Sequence, residues 1–561
     1  MRDIITIEEG KSRPIDSPQI QISRSMDFEK PPTIPSEQAM NAPRHPDQFE
    51  QDGTSHTIAL GFSDDPPMPI QLLDHADSVR RAVAPGIALK RKSALGQFMT
   101  PAPVARFMAT LFPPSSLQSC TLLDAGAGIG ALTCAFLDRW AARDGFSFDK
   151  VEVEAYEIDP VLRGHLANTL SGYAERLAVS SRVFSEDFIE AAALQSLAAR
   201  RYTHAILNPP YRKINSLSRH RLILRQAGIE TVNLYSAFVA LALSLMKPGG
   251  QLVAIIPRSF CNGPYYRPFR EYVLQRAALR HLHLFASRTK AFKDDDVLQE
   301  NVIMRLERGG VQGTVTVSNS TDDSFSDFTT HEQPFDRIVL SDDTESFIHV
   351  PTSLGRNAIE LSHGVRATLH DLGIGISTGP VVDFRLLEHI QEQPTKNTVP
   401  LLYPGHFSGQ TTQWPKDGIK RGNAINLNND TKKWLYPNGF YTVVRRFSSK
   451  EEPRRIIASV VSPNTFPGAS MLGFENHLNV FHEDKHGLPE ALAYGLAVFL
   501  NTTAVDDNFR RFNGHTQVNA TDLRLMKYPG LRTLIALGKW AQRQTTLTQA
   551  MMDEQTKKLT G

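Results

Sequence analysis

The chain has 561 residues, more than one ordinary hydrophobic core supports, so two or more domains are expected. Hydrophobic residues make up 41% and charged residues 21% of the sequence, which is typical of a soluble globular protein. The 61 Lys and Arg residues nearly balance the 59 Asp and Glu residues. A binding site for a polyanion must therefore come from a local cluster of basic residues rather than from net charge.

The sequence has three cysteines, Cys120, Cys134 and Cys261. They fit neither a disulfide framework nor a zinc site, so we expect small buried side chains in a reducing compartment. His477 and His515 lack the partner spacing of metal ligands, and no metal site is predicted. The longest apolar stretch, residues 234–246, is too short to span a bilayer, and the N-terminus lacks the apolar core of a signal peptide. These features predict a cytoplasmic protein.

Two helices are predicted ahead of the first strand. Apolar residues recur at helical spacing from Leu72 to Ala82. In the segment 95–112, Thr100 is predicted to cap a helix whose first residue is Pro101.

The composition changes along the chain and predicts its organisation. Residues 1–68 are rich in Pro, Ser, Asp and Gln and are expected to form a disordered arm. Within residues 69–310, apolar strands alternate with amphipathic helices, which indicates an α/β domain built on a parallel, doubly wound sheet. Residues 311–369 form a polar connection. Residues 370–561 have many Gly, Pro and aromatic residues between short strands, which predicts a second domain of mixed α+β type.

The segment LLDAGAGIGALT, residues 122–133, predicts a strand, a glycine turn and a helix. Gly126, Gly128 and Gly130 would let the backbone turn tightly and approach a ligand. A glycine turn alone is a weak signal. Its Gly-x-Gly-x-Gly spacing also differs from the Gly-x-Gly-x-x-Gly pattern of dinucleotide-binding folds.

Acidic residues follow the next two predicted strands. Glu157 and Asp159 end the second strand, where a carboxylate can accept both hydroxyls of a ribose. Asp187 ends the third strand and can accept a hydrogen bond from an adenine amine, while Phe188 covers the ring. A single acidic residue at the end of a strand is more often simply solvated than part of a binding site. Several acids at successive strand ends indicate a ligand site, because open α/β sheets bind ligands at these ends.

The fourth predicted strand ends in Asn208-Pro209-Pro210-Tyr211. Prolines have a fixed φ angle and no backbone N–H, so the neighbouring carbonyl groups are free and rigidly aimed. The loop is suited to hold a planar group that carries hydrogen-bond donors. The alternative is a strand end that is merely terminated by prolines.

The ordered motifs GQFMTP, DAGAGIG, YEID, EDF and NPPY resemble those of the gamma-class N6-adenine DNA methyltransferases of the TaqI and XhoI kind. The resemblance covers roughly residues 90–310. It extends into the second half through RRFSSKEEPRR, ENHLNVFH and RRFNGHTQVNATDLR. It implies a Rossmann-like domain that binds S-adenosylmethionine and a C-terminal domain that recognises double-stranded DNA. It also implies a separately encoded restriction endonuclease as functional partner.

The resemblance assigns a cofactor site to Thr100, Asp124, Gly126, Gly128, Glu157, Asp187 and Phe188. Thr100 would lie beside the methionine end of the cofactor, and Asp124 with the two glycines would line the sulfonium side. Glu157 would bind the ribose, and Asp187 with Phe188 the adenine.

The same resemblance gives the proline loop a chemical role. The N6 amine of adenine is a poor nucleophile, because its lone pair is delocalised into the ring. The Asn208 side-chain oxygen and the Pro209 carbonyl can accept hydrogen bonds from this amine, so that no strong base is required. Tyr211 can stack on an adenine that is flipped out of the duplex. Tyr266 is the predicted second aromatic contact.

Phe260 and Tyr265 are alternatives to Tyr266, and all three could simply be core residues. In the second half, phosphate contacts are predicted for Arg445, Arg446, Arg454 and Arg455, and base-edge contacts for Gln517 and Asn519. A solvated charged face is the alternative for the arginines. Loop capping is the alternative for the two amides.

Four other functions compete with an adenine methyltransferase. A protein-glutamine or ribosomal-RNA guanine methyltransferase can use the same proline loop, but generally lacks a recognition half of this length. A cytosine-N4 enzyme more often has Ser or Asp at the position of Asn208. A bifunctional restriction enzyme would need nuclease residues in an ordered N-terminal domain, and a non-catalytic DNA-binding module would not need the proline loop.

Overall fold

The computed structural model describes residues 72–83, 99–194, 201–286, 300–341, 343–351, 359, 362–409, 411–419, 421–448, 452–512 and 517–561. The arm predicted to be disordered, residues 1–68, lies outside these residues, as does His515. Within the described part of the chain, no helix is both long enough and apolar enough to cross a membrane.

A nine-stranded sheet forms the centre of the first half. Its strands are β1 (Ser119–Ala125), β2 (Lys150–Tyr156), β3 (Val179–Phe184), β4 (Tyr202–Leu207), β5 (Met246–Pro257), β6 (Ala277–Phe285), β7 (Asn301–Arg308), β8 (Thr314–Ser320) and β9 (Thr329–Pro334). Their order in the sheet is β3-β2-β1-β4-β5-β7-β6-β8-β9. The first five strands are all parallel, as predicted.

Beyond β5 the sheet is mixed. β7 lies between β5 and β6 and is antiparallel to both. The alternation of strands and helices in the sequence does not predict the antiparallel strand. β6 follows a helix, just as the parallel strands do. β8 and β9 fall in the predicted connecting segment and extend the sheet past residue 310. At the start of β8, the buried Val315 and Val317 alternate with the less buried Thr314 and Thr316, which is the pattern of a strand with one covered face.

Helices cover both faces of this sheet. They are α1 (Leu73–Val83), α2 (Ala102–Thr110), α3 (Ala131–Ala141), α4 (Pro160–Ala174), α5 (Phe188–Leu194), α6 (Arg219–Gln226), α7 (Leu234–Leu245), α8 (Arg267–Arg276) and α9 (Phe335–Ile338). Neighbouring strand residues belong to different cores: Leu122 packs in one core and Leu123 in the other. All residues of α7 after the first are buried. The longest apolar stretch of the sequence is therefore a core helix.

The start of α2 differs from the prediction. The helix begins at Ala102 and Pro101 occupies the cap position, while the Ala102 amide donates a hydrogen bond to Asp77 Oδ1 at 3.3 Å. The Thr100 hydroxyl instead accepts a hydrogen bond from the Asn208 side chain at 2.9 Å. The local sequence could not show this, because the competing donor lies more than one hundred residues away.

The second half combines small sheets with helices, so the predicted α+β character is confirmed. Its strands are β10 (Val365–Ala367), β11 (Gly375–Thr378), β12 (Ile390–Gln391), β13 (Thr398–Leu402), β14 (Phe407–Ser408), β15 (Thr411–Thr412), β16 (Ala424–Asn426), β17 (Leu435–Pro437), β18 (Tyr441–Arg445), β19 (Ala458–Val461), β20 (Met471–Phe474), β21 (Leu478–His482) and β22 (Tyr528–Pro529). The larger sheets have the orders β11-β21-β18-β19 and β12-β16-β13-β20-β17.

The helices of this half are α10 (Glu490–Leu500), α11 (Thr503–Phe512), α12 (Ala520–Leu525), α13 (Leu531–Ala541) and α14 (Gln549–Thr560). Short 3-10 helices span Arg258–Cys261, Pro264–Tyr266, Asp383–Arg385, Leu387–His389, Pro404–His406, Lys432–Trp434 and Pro463–Thr465. α10 and α13 touch through glycines. A Cβ at Gly495 would lie 1.9 Å from the Leu534 carbonyl oxygen, and one at Gly538 would lie 1.6 Å from the Ala491 oxygen. Only glycine permits this approach of two backbones.

Candidate cofactor and catalytic site

A cavity of about 210 Å³ opens at the carboxyl ends of β1, β2 and β4 and beside the loop after β3. Eight residues predicted for the site line it: Thr100, Gly126, Gly128, Glu157, Asp187, Phe188, Asn208 and Pro210. Further lining residues that were not predicted include Met99, Ile158, Leu162, Arg212, His220, Leu234 and Phe238. The structure thus brings together side chains from four strand ends, where open α/β sheets bind their ligands.

The glycine turn between β1 and α3 forms one wall. Gly126 has a φ of +80° and Gly130 a φ of +91°, a region in which other residues are strained. A Cβ at Gly130 would also lie 2.6 Å from a methyl group of Leu166 on α4. A Cβ at Gly126 would lie 3.9 Å from the Asn208 carbonyl oxygen. The turn therefore lies against the proline loop.

Glu157 is buried at the end of β2 and holds the glycine turn. Its carboxylate accepts hydrogen bonds from the Gly128 amide at 2.8 Å and from the Asp159 amide at 2.7 Å. Burial raises the pKa of Glu157, and these two amides oppose the rise. Asp159 has a different role, since its side chain accepts two amides in the first turn of α4 and caps that helix. Ile158 between them is 47% exposed and gives the cavity an apolar wall.

Asp124, the penultimate residue of β1, is fully buried. Its Oδ2 accepts the Thr133 hydroxyl at 2.6 Å, whereas its Oδ1 has no hydrogen-bond partner in the described part of the chain. Burial raises the pKa of Asp124 to about 7, against the hydrogen bond from Thr133. A buried carboxylate oxygen without a partner is costly, but Asp124 is not among the residues that line the cavity, so it can act on a ligand there through its charge rather than by direct contact.

Asp187 lies after β3 and is held from two sides. Its Oδ1 accepts the Ile189 amide at 2.8 Å and the Glu190 amide at 3.2 Å. Its Oδ2 lies 3.2 Å from Nε2 of His220 on α6. Phe188 is buried next to it and packs on Phe238 with a ring separation of 5.1 Å. His220 was not predicted, because a single histidine at the start of a helix forms no recognisable motif.

Asn208 ends β4 with a defined side-chain orientation. Its Nδ2 donates to Thr100 Oγ1 at 2.9 Å, and its Oδ1 accepts the Tyr211 hydroxyl at 3.1 Å. The hydroxyl of Tyr211 also lies 3.4 Å from the Ile255 carbonyl oxygen on β5. The two prolines between Asn208 and Tyr211 thus close a rigid loop around the carboxamide.

Aromatic rings continue from this loop. Tyr211 meets Tyr235 edge-on at 6.2 Å, and Tyr235 stacks on Tyr266 at 5.8 Å. Of the alternatives to Tyr266, Phe260 is a buried core residue and Tyr265 is 75% exposed. Only Tyr266 of these three is joined to Tyr211 by a chain of ring contacts. Tyr235 was not predicted, because it lies in the apolar helix α7.

The predicted DNA-contacting arginines have different surroundings. Arg445 is half-buried and paired with Glu452 at 2.6 Å. Arg446 donates to the Asn476 carbonyl at 3.2 Å and to Gln517 Oε1 at 3.3 Å. Arg454 donates to the Thr502 carbonyl at 2.9 Å and to the side chain of Gln549.

The phosphate contact predicted for Arg455 is wrong. Its side chain is only 1% exposed, and its guanidinium lies over the ring of Phe509 with 5.6 Å to the centroid. A guanidinium enclosed in the protein interior cannot reach a phosphate at the surface. The sequence could not distinguish it from its neighbours, because four arginines within eleven residues have the same local composition.

Gln517 and the arginine segment lie together. The backbone of Gln517 pairs with Phe447, and the Val518 amide donates to the Arg446 carbonyl at 2.7 Å. Asn519 forms a capping box with Asp522 at the start of α12, and its own amide donates to Asp522 at 2.9 Å. The structure therefore favours the capping alternative for Asn519, while the side chain of Gln517 lies beside Arg446.

Comparison with known proteins agrees with the resemblance. The family described as Eco57I restriction-modification methylase matches residues 154–292. The chain is 52% identical over 478 residues to the type II methyltransferase M.BsuBI of Bacillus subtilis, covering 84% of this chain and 94% of that protein. It is 43% identical over 472 residues to M.PstI of Providencia stuartii, covering 82% and 92%.

Among solved structures, the type IIG restriction endonuclease BpuSI aligns with 87% of this chain and 67% of its own, at 12% identity and a TM-score of 0.42. The two sequence relatives match across both halves of the chain. The chain therefore belongs to the type II restriction–modification methyltransferases, which methylate DNA.

Proposed function

We propose that the chain transfers a methyl group from S-adenosylmethionine to N6 of an adenine that is flipped out of double-stranded DNA. The observation that supports this most directly is the cavity that the glycine turn, Glu157, Asp187 and Asn208 share. A cofactor site and an amide-binding loop face the same space, as a methyl transfer between two bound groups requires.

The residues present fit S-adenosylmethionine. Asp124 has a buried oxygen without a partner, which suits the positive charge of the sulfonium or ammonium group. Glu157 would bind the ribose hydroxyls, Asp187 the adenine amine, and Ile158 with Phe188 would enclose the adenine ring. When bound, S-adenosylmethionine supplies a methyl group that is activated by the positive sulfur.

Asn208 and Pro209 would act on the target base. The Asn208 Oδ1 and the Pro209 carbonyl accept hydrogen bonds from the two N–H groups of the adenine amine. These bonds localise the lone pair on the nitrogen instead of leaving it delocalised into the ring. They also stabilise the positive charge that develops on nitrogen as the methyl group arrives. The hydrogen bonds from Asn208 to Thr100 and from Tyr211 to Asn208 fix the carboxamide before the base enters. Tyr211 and Tyr266 would contact the flipped base.

The second half would bind and recognise the DNA. We assign catalysis to residues 69–310 and target recognition to residues 370–561. Residues 311–369 lie between them in the sequence, and their strands β8 and β9 extend the sheet of the first half. Arg445, Arg446 and Arg454 would contact phosphates, which position the duplex without reading its sequence. A separately encoded restriction endonuclease would be the functional partner, and methylation would protect the shared DNA site.

Product analysis tests this function. The purified full-length chain is incubated with S-adenosylmethionine labelled in the methyl group and with plasmid DNA. The DNA is then hydrolysed to nucleosides and analysed by mass spectrometry. The expected labelled product is N6-methyldeoxyadenosine, and sequencing the intact methylated plasmid should place it at one recurring sequence. Labelled N4-methyldeoxycytidine as the only product, or no labelled nucleoside from the DNA, would overturn the proposal.

A further inference from the structure

His220 occupies an unusual place in the cavity. It lies in the first turn of α6, twelve residues after Asn208, on the chain segment that leaves the proline loop. Its Nε2 is 3.2 Å from Asp187 Oδ2, its side chain is 30% exposed, and it lines the cavity together with Asp187. The proposed chemistry of methyl transfer leaves it without a role.

The contacts of Asp187 show what His220 does to it. The amides of Ile189 and Glu190 bind one carboxylate oxygen, and His220 binds the other. The plane of the carboxylate is therefore fixed from both sides. A second ion pair, Arg219 to Glu190 at 3.1 Å, joins the same two helices, α6 and α5.

We infer that His220 is a positioning residue of the cofactor site. Its imidazolium orients the Asp187 carboxylate for the adenine amine of the cofactor, and this makes cofactor affinity depend on pH. The inference rests on the proposed function, since it takes Asp187 as the group that binds the adenine.

The surrounding charges support the ion pair. The hydrogen bond to Asp187 raises the pKa of His220 above its ordinary 6.5; burial opposes the rise, nearby Glu190 adds to it and Arg219 reduces it. Burial raises the pKa of Asp187, but the hydrogen bond from His220 and the two amides outweigh burial and lower it overall.

The direction of the pH effect follows from these shifts. Because the pKa of His220 is raised, the imidazolium predominates below pH 6.5 and is lost as the pH rises through the raised pKa. Neutral histidine can still donate one hydrogen bond, but without charge assistance the bond is weaker. Cofactor affinity should therefore fall at alkaline pH. Glu186 and Arg212 also line the cavity, so the effect of His220 must be isolated by comparing variants.

Calorimetric titration with S-adenosylhomocysteine measures the effect. This ligand keeps the adenosine but has an uncharged sulfur, so the ionisation of Asp124 affects its binding less. The proteins are the wild type, His220→Ala, His220→Gln and the control His370→Gln, which changes an exposed histidine outside the cavity. Each is titrated from about pH 6 to about pH 9, a range that spans the loss of a histidine charge.

The wild type should bind about tenfold more tightly than His220→Ala at about pH 6, because a charge-assisted hydrogen bond is lost. The difference should shrink as the pH rises. His220→Gln keeps a neutral donor, so its affinity should be intermediate and its pH dependence flatter. His370→Gln should follow the wild type throughout.

Titration in two buffers of different ionisation enthalpy gives a second readout. As the pH rises through the raised pKa of His220, the wild type should take up a fraction of a proton on binding that His220→Gln does not take up. Equal affinities of the wild type and His220→Ala, or equal pH slopes, would overturn the inference and leave the proposed function intact. Absence of any binding by the wild type would overturn the proposed function, and the role of His220 with it.

Discussion

Thr100 and Asn208 are joined by a hydrogen bond of 2.9 Å, although 108 positions separate them in the sequence. The bond uses the Nδ2 of Asn208 and therefore leaves the side-chain oxygen to act as an acceptor. The oxygen also accepts the Tyr211 hydroxyl, so both ends of the carboxamide are fixed. A preorganised acceptor of this kind needs no rearrangement when charge develops on a substrate.

Replacing Asn208 by alanine should lower turnover by about 10²–10³, because one of the two acceptors for the target amine is lost. Single-turnover methylation of DNA with labelled cofactor measures the effect. Cofactor affinity should be unchanged and serves as the control. Methylation at the normal rate would show that Asn208 has no part in the chemistry.

Replacing Thr100 by valine should lower turnover by a smaller factor, about tenfold, which corresponds to about 1.4 kcal/mol. Valine has the shape of threonine but leaves the Asn208 Nδ2 without its acceptor. Thr100→Ser keeps the hydroxyl and should retain most of the activity. If the valine and serine variants have equal rates, the hydrogen bond does not position Asn208.

Replacing Asp124 by asparagine should raise the melting temperature at pH 8 and leave it nearly unchanged at about pH 4. Burial raises the pKa of Asp124 to about 7, so the folded state favours the protonated acid. Stability is therefore fully present below the unfolded pKa and is lost as the pH rises toward 7. The loss is at most about 1.4 kcal/mol for each pH unit between the two values.

Differential scanning calorimetry across this pH range gives the comparison. The exposed Asp149 provides a matched control, and Asp149→Asn should show no such trend. A constant difference in melting temperature between Asp124→Asn and the wild type at all pH values would contradict the assignment of the shift to Asp124.

The arginines of the second half should separate into two groups. Arg446→Gln should weaken binding to cognate and scrambled duplexes alike and lower the salt slope by about 0.9, because one phosphate contact is lost. Arg455→Ala should leave the salt slope unchanged and instead cost roughly 1–3 kcal/mol of stability, since it removes a buried side chain. Binding measured at several salt concentrations, together with thermal unfolding, distinguishes the two. An altered salt slope in Arg455→Ala would contradict its interior position.

Substitutions of Asn519 and Gln517 should likewise separate an effect on stability from an effect on DNA binding. Asn519→Ala should destabilise the protein by about 0.5–2 kcal/mol through loss of the helix cap, and Asn519→Ser should restore most of it. Gln517→Ala should cost about 1–3 kcal/mol on the cognate duplex and relax discrimination at one base pair. If Gln517→Ala weakens cognate and scrambled duplexes equally, Gln517 does not read a base.

The sequence by itself determined the parallel core of the sheet and the order of the polar residues at its strand ends. Strands of a doubly wound sheet are continuous apolar runs, and each ends where polar residues begin. The sequence therefore predicted that one end of the sheet, at the carboxyl ends of the strands, carries the glycine turn, Glu157, Asp187 and Asn208. This information is local, because it depends on the period and the limits of each strand.

The tertiary structure alone decided which of these residues touch and which polar groups are buried. Thr100 was predicted to cap a helix, but its hydroxyl instead accepts a hydrogen bond from the Asn208 side chain. His220 reaches Asp187 only because α6 packs beside α5. Arg455 is buried, whereas Arg446 remains beside Gln517. Burial and hydrogen-bond partners depend on segments that are distant in sequence, and local composition does not contain that information.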